Sequence, residues 1–145
     1  MCIRDRFNNS GALAWVRQTE GGDAGSGGAA VDQAGNVYVA SPFEFAINFD
    51  GVSLTNAANN AFVAKYSNSG TIQWARQAGG TSFYEDVALD GQGNVYPAGF
   101  LSTDATVANY DPAGTLQWTF SASGTPASPI SSLVEKCAVD SAGNC

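Results

Sequence analysis

Ser69-Gly70-Thr71-Ile72-Gln73-Trp74 decides how this chain is read, because the stretch occurs three times. Ser10-Gly11-Ala12-Leu13-Ala14-Trp15 precedes it and Ala113-Gly114-Thr115-Leu116-Gln117-Trp118 follows it. The three tryptophans so placed are the only ones in the chain. Trp15 lies 59 residues before Trp74, and Trp74 lies 44 before Trp118. Repeats at such spacing mark an architecture built from stacked supersecondary units.

A second signature alternates with the first. It reads Ala30-Val31-Asp32-Gln33-Ala34-Gly35-Asn36-Val37-Tyr38, then Ala88-Leu89-Asp90-Gly91-Gln92-Gly93-Asn94-Val95-Tyr96, then Ala138-Val139-Asp140-Ser141-Ala142-Gly143-Asn144-Cys145. A third joins them, as Ala61-Phe62-Val63-Ala64-Lys65-Tyr66 and Ala105-Thr106-Val107-Ala108-Asn109-Tyr110. Before the first tryptophan only Phe7, at the tyrosine position, and Arg6, at the Lys65 position, continue this match.

Each unit reads as four short strands. Asp-x-x-Gly-Asn closes the first hairpin, with the aspartate bonding backbone amides and the glycine taking a left-handed conformation. The second strands are Val37–Ala40 and Val95–Gly99, and the third are Ala61–Tyr66 and Ala105–Tyr110. Asn68-Ser69-Gly70 and Pro112-Ala113-Gly114 turn into the fourth, Thr71–Gln77 and Thr115–Phe120. There Ile72 and Trp74 alternate with polar or small residues, the period of a strand. Ser41–Asn60 is expected to be a surface loop, since its counterpart is only Phe100–Asp104. Pro97 removes a ladder donor, so the second strand of its unit is expected to be broken or bulged.

Units of this length with four strands predict an all-β chain of β-propeller blades, four-stranded antiparallel sheets in an incomplete ring. The boundaries follow: residues 1–6 a leader foreign to the repeat, 7–18 the last strand of a preceding blade, 29–77 and 86–120 two blades, and 136–145 the first hairpin of a further one. The chain therefore reads as a segment of a longer protein whose neighbouring blades lie elsewhere.

The composition agrees with many short strands. Of 145 residues 44% are hydrophobic, 17 are glycine and only 13% are charged, against about 25% charged in an ordinary domain. Net charge is −7 and the isoelectric point about 4.1, which disfavours a nucleic-acid partner. No apolar run is long enough to span a membrane. Histidine is absent, which removes histidine-based nucleophilic catalysis and most catalytic zinc sites. Of the three cysteines, Cys2, Cys137 and Cys145, the last two could bridge, but they align with apolar residues of the earlier copies and are expected to be small buried thiols. Met1–Arg6 is polar and charged and does not read as a signal peptide, so export is not argued from this stretch.

The motifs Asp-x-x-Gly-Asn-Val-Tyr, Ala-Phe-Val-Ala-Lys-Tyr and Ser-Gly-Thr-Ile-Gln-Trp-Ala together resemble the bacterial SBBP β-propeller repeat family, from Phe7 to Cys145. Asn48-Phe49-Asp50-Gly51-Val52-Ser53-Leu54-Thr55 looks like that family's Phe-x-Gly-x-x-Leu segment, which the second blade lacks. The resemblance implies a secreted or cell-surface bacterial protein with no catalytic residues in the repeat. Ala64-x-Tyr66-x-x-Ser69-Gly70-x-x-x-Trp74 also looks like the tryptophan-docking motif of quinoprotein propellers, in which Asp stands where Tyr66 is and Thr where Ser69 is. Tyr66 and Tyr110 depart from it.

Other features have a plainer reading beside the chemical one. The tryptophans read as residues docking one blade on the next rather than sugar platforms. Asp32–Asn36 reads as a turn rather than a calcium loop: the third positions of the two copies are Ala34 and Gln92, the first without a side-chain oxygen, and no bidentate acid follows at the right distance. Glu85 with Asp86, and Glu20 with Asp23, read as solvated charge in linking segments rather than a glycosidase pair. Phe43, Phe45, Phe49, Phe83 and Tyr84 are not dictated by the repeat and either form a binding surface or cover a blade edge. Gly21, Gly22, Gly25, Gly27 and Gly28 read as a flexible link rather than a phosphate loop. The expectation is a non-catalytic scaffold or a module binding protein or glycan at the cell surface, without cofactor or metal. The alternatives are a lectin-like ring assembled by oligomerisation and part of a propeller enzyme.

Overall fold

The computed structural model describes residues 3–122 and 136–145, and among them there is no helix. Eleven strands follow one another. They are β1 (Ile3–Phe7), β2 (Leu13–Gln18), β3 (Glu20–Gly21), β4 (Gly28–Val31), β5 (Val37–Phe49) and β6 (Val52–Tyr66). The remainder are β7 (Ile72–Gln77), β8 (Ser82–Leu89), β9 (Val95–Leu101), β10 (Asp104–Tyr110) and β11 (Leu116–Ala122).

All pairing between them is antiparallel. β4-β5-β6-β7 and β8-β9-β10-β11 are two meanders, and β1-β2 is a separate pair. Each meander joins neighbours through tight turns, as local hydrophobic alternation and turn residues dictate. The β1-β2 pair matches the third and fourth strands of a meander, so Ile3–Asp5 continues strand pairing that the motif match carried back only to Arg6.

Two apolar cores hold the sheets together, and each reaches from one unit to another. One joins Trp15 of β2 to Val37, Val39, Phe62, Ala64 and Tyr66 on the first meander. The other joins Tyr38, Val63 and Trp74 on the opposite side of that meander to Tyr84, Val87, Val95, Ala108 and Tyr110 on the second. A strand sends alternate side chains to opposite faces. Neighbouring residues of one strand, such as Val37 and Tyr38, therefore serve different interfaces.

Ser41–Asn60 is not the surface loop the sequence led us to expect. β5 and β6 run on as a long hairpin, paired from Val37↔Tyr66 to Phe49↔Val52. Asp50 and Gly51 close it with φ of 48° and 98°, the two left-handed residues that an Asp-Gly hairpin turn requires. The hairpin forms because Phe43, Ile47 and Phe49 alternate and find an apolar partner: Phe43 and Phe49 lie edge-on to Phe62 at 6.0 and 4.9 Å between ring centroids.

The glycine-rich link is not slack either. Gly22 donates to the Ala46 carbonyl, Gly25 to Pro42 and Glu44 to Asp23 along the edge of β5. A Cβ on Gly21, Gly22 or Gly27 would overlap a carbonyl oxygen of β5, so close backbone approach explains these glycines.

Pro97 does not break its strand. β9 is continuous, and Pro97 pairs with Val87. The cost falls on the other side, where the β10 ladder runs to Val107 and resumes only at Tyr110. The bulge sits in β8 between Tyr84 and Asp86. β8 also starts at Ser82, ahead of residue 86 where the motif match placed the unit.

Candidate functional site: a clasp used twice and left open once

Each tryptophan stands in a fourth strand, and Trp15 and Trp74 reach across to the next unit. Trp15 Nε1 donates to the Asn68 carbonyl at 2.9 Å, and Trp74 Nε1 donates to the Pro112 carbonyl at 3.2 Å. The indole lies flat on a turn glycine. A Cβ on Gly70 would sit 2.7 Å from the Trp15 ring, and one on Gly114 would sit 2.7 Å from the Trp74 ring. Both glycines have left-handed φ, 79° and 80°, so one residue type answers both the turn and the contact.

An arginine two residues on completes the clasp. Arg17 Nε donates to the Gly70 carbonyl at 2.7 Å, and Arg76 Nε donates to Gly114 at 2.8 Å. Each guanidinium also lies near its own tryptophan ring, at 6.0 and 5.7 Å from the centroid. Arg6 adds a contact to the first interface, donating to the Gly35 carbonyl at 2.6 Å and to Asn68. Lys65 Nζ stands 5.0 Å from the Tyr38 ring and donates to Pro112 at 3.4 Å.

The third copy is unfilled. Trp118 keeps the edge-on contact with Tyr96 at 6.0 Å that Trp74 makes with Tyr38 at 6.2 Å. Yet Trp118 is 44% exposed, against 7% for Trp15 and 6% for Trp74. Phe120 replaces the arginine and is exposed, as is Leu116.

The Asp-x-x-Gly-Asn turns are built alike and consume their carboxylates. Asp32 accepts from the Asn36 amide and side chain, both at 2.8 Å, and from the Tyr38 hydroxyl at 3.3 Å. Asp90 does the same with Asn94 and Tyr96, and Asp140 repeats the Asn144 pair. Burial pushes the Asp90 and Asp32 carboxyls up, but these donors outweigh it and hold both below the usual range. Among the described residues no three acidic or cysteine side chains gather around a metal-sized space.

The remaining candidates scatter. Phe43, Phe49 and Tyr84 are buried in the two cores, Phe83 is half-buried on β8, and Phe45 projects, at a register shift with φ 64°. Glu85 and Asp86 lie within β8 rather than in a link. Asp86 is engaged, accepting from the Cys137 amide at 3.0 Å. Glu20 falls in β3 and Asp23 on the link beside β5.

The buried-thiol expectation fails for Cys145, which is exposed, and holds only in part for Cys137. Their sulfurs are 3.3 Å apart across the last turn. Cys2 lies outside the described residues. An apolar cleft of about 240 Å³ opens beside Tyr84, Phe100, Leu101 and Tyr110. Its position between units was not legible in the repeat, which fixes the strands but not the gap between them.

No known protein family model matches the chain, and no curated protein matches it. No helix among the described residues is long and apolar enough to cross a membrane.

Proposed function

We propose that this chain is a non-catalytic repeat segment of the SBBP β-propeller type, part of a larger exported or cell-surface bacterial protein. Its meanders are blades, and its work is to hold a rigid surface that binds protein or glycan. The observation that carries this reading is the clasp: two successive units are joined by the same tryptophan, arginine and glycine-turn contacts. Geometry of that kind stacks units in series, and its side chains are spent on packing. The address and the family rest on the motif resemblance.

The test is antibody labelling of the producing bacterium with serum raised against this chain, followed by a glycan array probed with the purified protein. Labelling of intact cells is the expected result. Labelling only after permeabilisation overturns the address, and a measurable turnover of any arrayed glycan overturns the scaffold reading.

A further inference from the structure

Apart from Val31 and Phe45, the large exposed apolar side chains of the described residues lie at two places. They are Phe7, Leu13 and Val16 on the β1-β2 pair, and Leu116, Trp118 and Phe120 on β11. These places carry the two halves of one clasp. Trp118 is the tryptophan half without a turn. Asn8–Ala12 is a turn without a tryptophan.

The unoccupied turn already has the right shape. Gly11 donates to the Asn8 carbonyl at 3.0 Å and Asn8 to Ala12 at 2.9 Å. The clasped turn repeats this with Gly70 to Ser67 at 2.9 Å and Ser67 to Thr71 at 2.8 Å. The φ of Gly11 is 78°, beside 79° and 80° for Gly70 and Gly114. Nothing lies within 4 Å of a Cβ built on Gly11, the space that a tryptophan ring fills at the other two glycines.

The flanking residues agree. Trp15 meets Tyr66 of the unit it clasps, with ring centroids 5.9 Å apart. Phe7 stands at that tyrosine position ahead of Gly11 and is exposed.

We propose that the Trp118 face docks the Asn8–Ala12 turn of a second copy of this chain, head to tail, reproducing the clasp made twice within each copy. The inference rests on the stacked-unit reading above and concerns these 145 residues as an isolated chain; within a longer protein the neighbouring blades take up the same two faces. Trp118 would lie on Gly11 of the second copy, with Phe7 against the indole. Because the two patches differ, the contact is heterologous and adds copies in series. Phe120 supplies no guanidinium, so this clasp lacks the charge-assisted hydrogen bond of Arg17 and Arg76 and is the weakest of the three.

Sedimentation velocity of these 145 residues under reducing conditions tests this. The wild type is expected to grow with concentration. Trp118→Ala and Gly11→Asn are each expected to stay monomeric; asparagine tolerates the left-handed turn but occupies the ring's place. An equimolar mixture of the two restores a one-to-one complex and nothing larger, since each supplies the half the other lacks. Phe120→Arg tightens association by about tenfold.

A wild type that is monomeric throughout overturns the proposal, as does association that persists in both single variants. Unchanged circular dichroism and melting in these surface variants assign such a failure to the docking alone. The stacked-unit reading is tested separately, at Gly114.

Discussion

The indole of Trp74 lies so closely on Gly114 that a single added carbon on the glycine would be 2.7 Å from the ring. The contact spans two units and 40 residues of sequence, and it explains why a glycine and a tryptophan recur in phase. Neither residue has its partner in its own copy of the motif.

Gly114→Ala is expected to destabilise the chain by about 2–4 kcal/mol, combining overpacking against the ring with a left-handed φ. Gly51→Ala carries a similar φ but meets open space, so it is expected to cost only the backbone strain, about 1–2 kcal/mol. Paired urea denaturation measures the difference. Equal losses would mean that the tryptophan does not press on the turn.

Trp74→Ala is expected to cost about 3–5 kcal/mol, since it empties the core between the two meanders. Trp118→Ala is expected to cost less than about 1 kcal/mol in the isolated chain, where the side chain is exposed. Thermal melts of the two proteins, run at one low concentration, give the comparison.

Arg76→Met keeps the apolar stem and removes the donors to Gly114, Ala113 and Ala75. A loss of about 1–2 kcal/mol is expected for these partly exposed bonds. Lysine at this position is expected to recover less than half of that, because it lacks the planar fork. A double-mutant cycle with Trp74 tests whether ring and guanidinium act together.

All five tyrosines have hydroxyls held above their ordinary pKa, in each case chiefly by burial. Tyr66 is pushed up to about 12, with the nearby Arg4 charge pulling the other way. A raised folded pKa leaves stability intact below the unfolded value of about 10 and removes it as pH climbs past that value. Melting temperature is therefore expected to fall above about pH 10, with tyrosinate absorbance rising at the unfolding transition. Tyrosinate that forms before unfolding would contradict this.

Asp90 gives the opposite limb. Its lowered folded pKa adds stability above about pH 3.9, which is lost as pH falls through the folded value. Asp90→Ala is expected to cost about 1–3 kcal/mol at neutral pH by orphaning Asn94 and the Tyr96 hydroxyl. The variant is also expected to show a flatter acid limb in a pH series of melts.

The local chemistry of this chain was legible in its residues. Asp-x-x-Gly-Asn specifies its turn through the aspartate's bonds to nearby amides, and Ser-Gly-Thr specifies its own through glycine's left-handed φ. Both are short-range effects that sequence order alone sets up. The alternation of Ile72 and Trp74 likewise placed a strand. Meander order followed, because tight turns leave consecutive strands no other neighbour.

What only the tertiary structure decided is where close backbones and apolar faces meet. Ser41–Asn60 became a hairpin rather than a loop because Phe43 and Phe49 pack on Phe62, a residue of a different motif. Gly22 and Gly27 are glycines because β5 runs against them, and nothing in the link announces that strand. Pro97 kept its strand because its missing donor could be absorbed as a gap on the β10 side. The clasp itself joins residues about 40–55 positions apart, from Trp15 to Gly70 and from Trp74 to Gly114. A repeat fixes what each unit offers, but which half meets which depends on how the sheets stack, and stacking is a property of surfaces that exist only after the strands have formed.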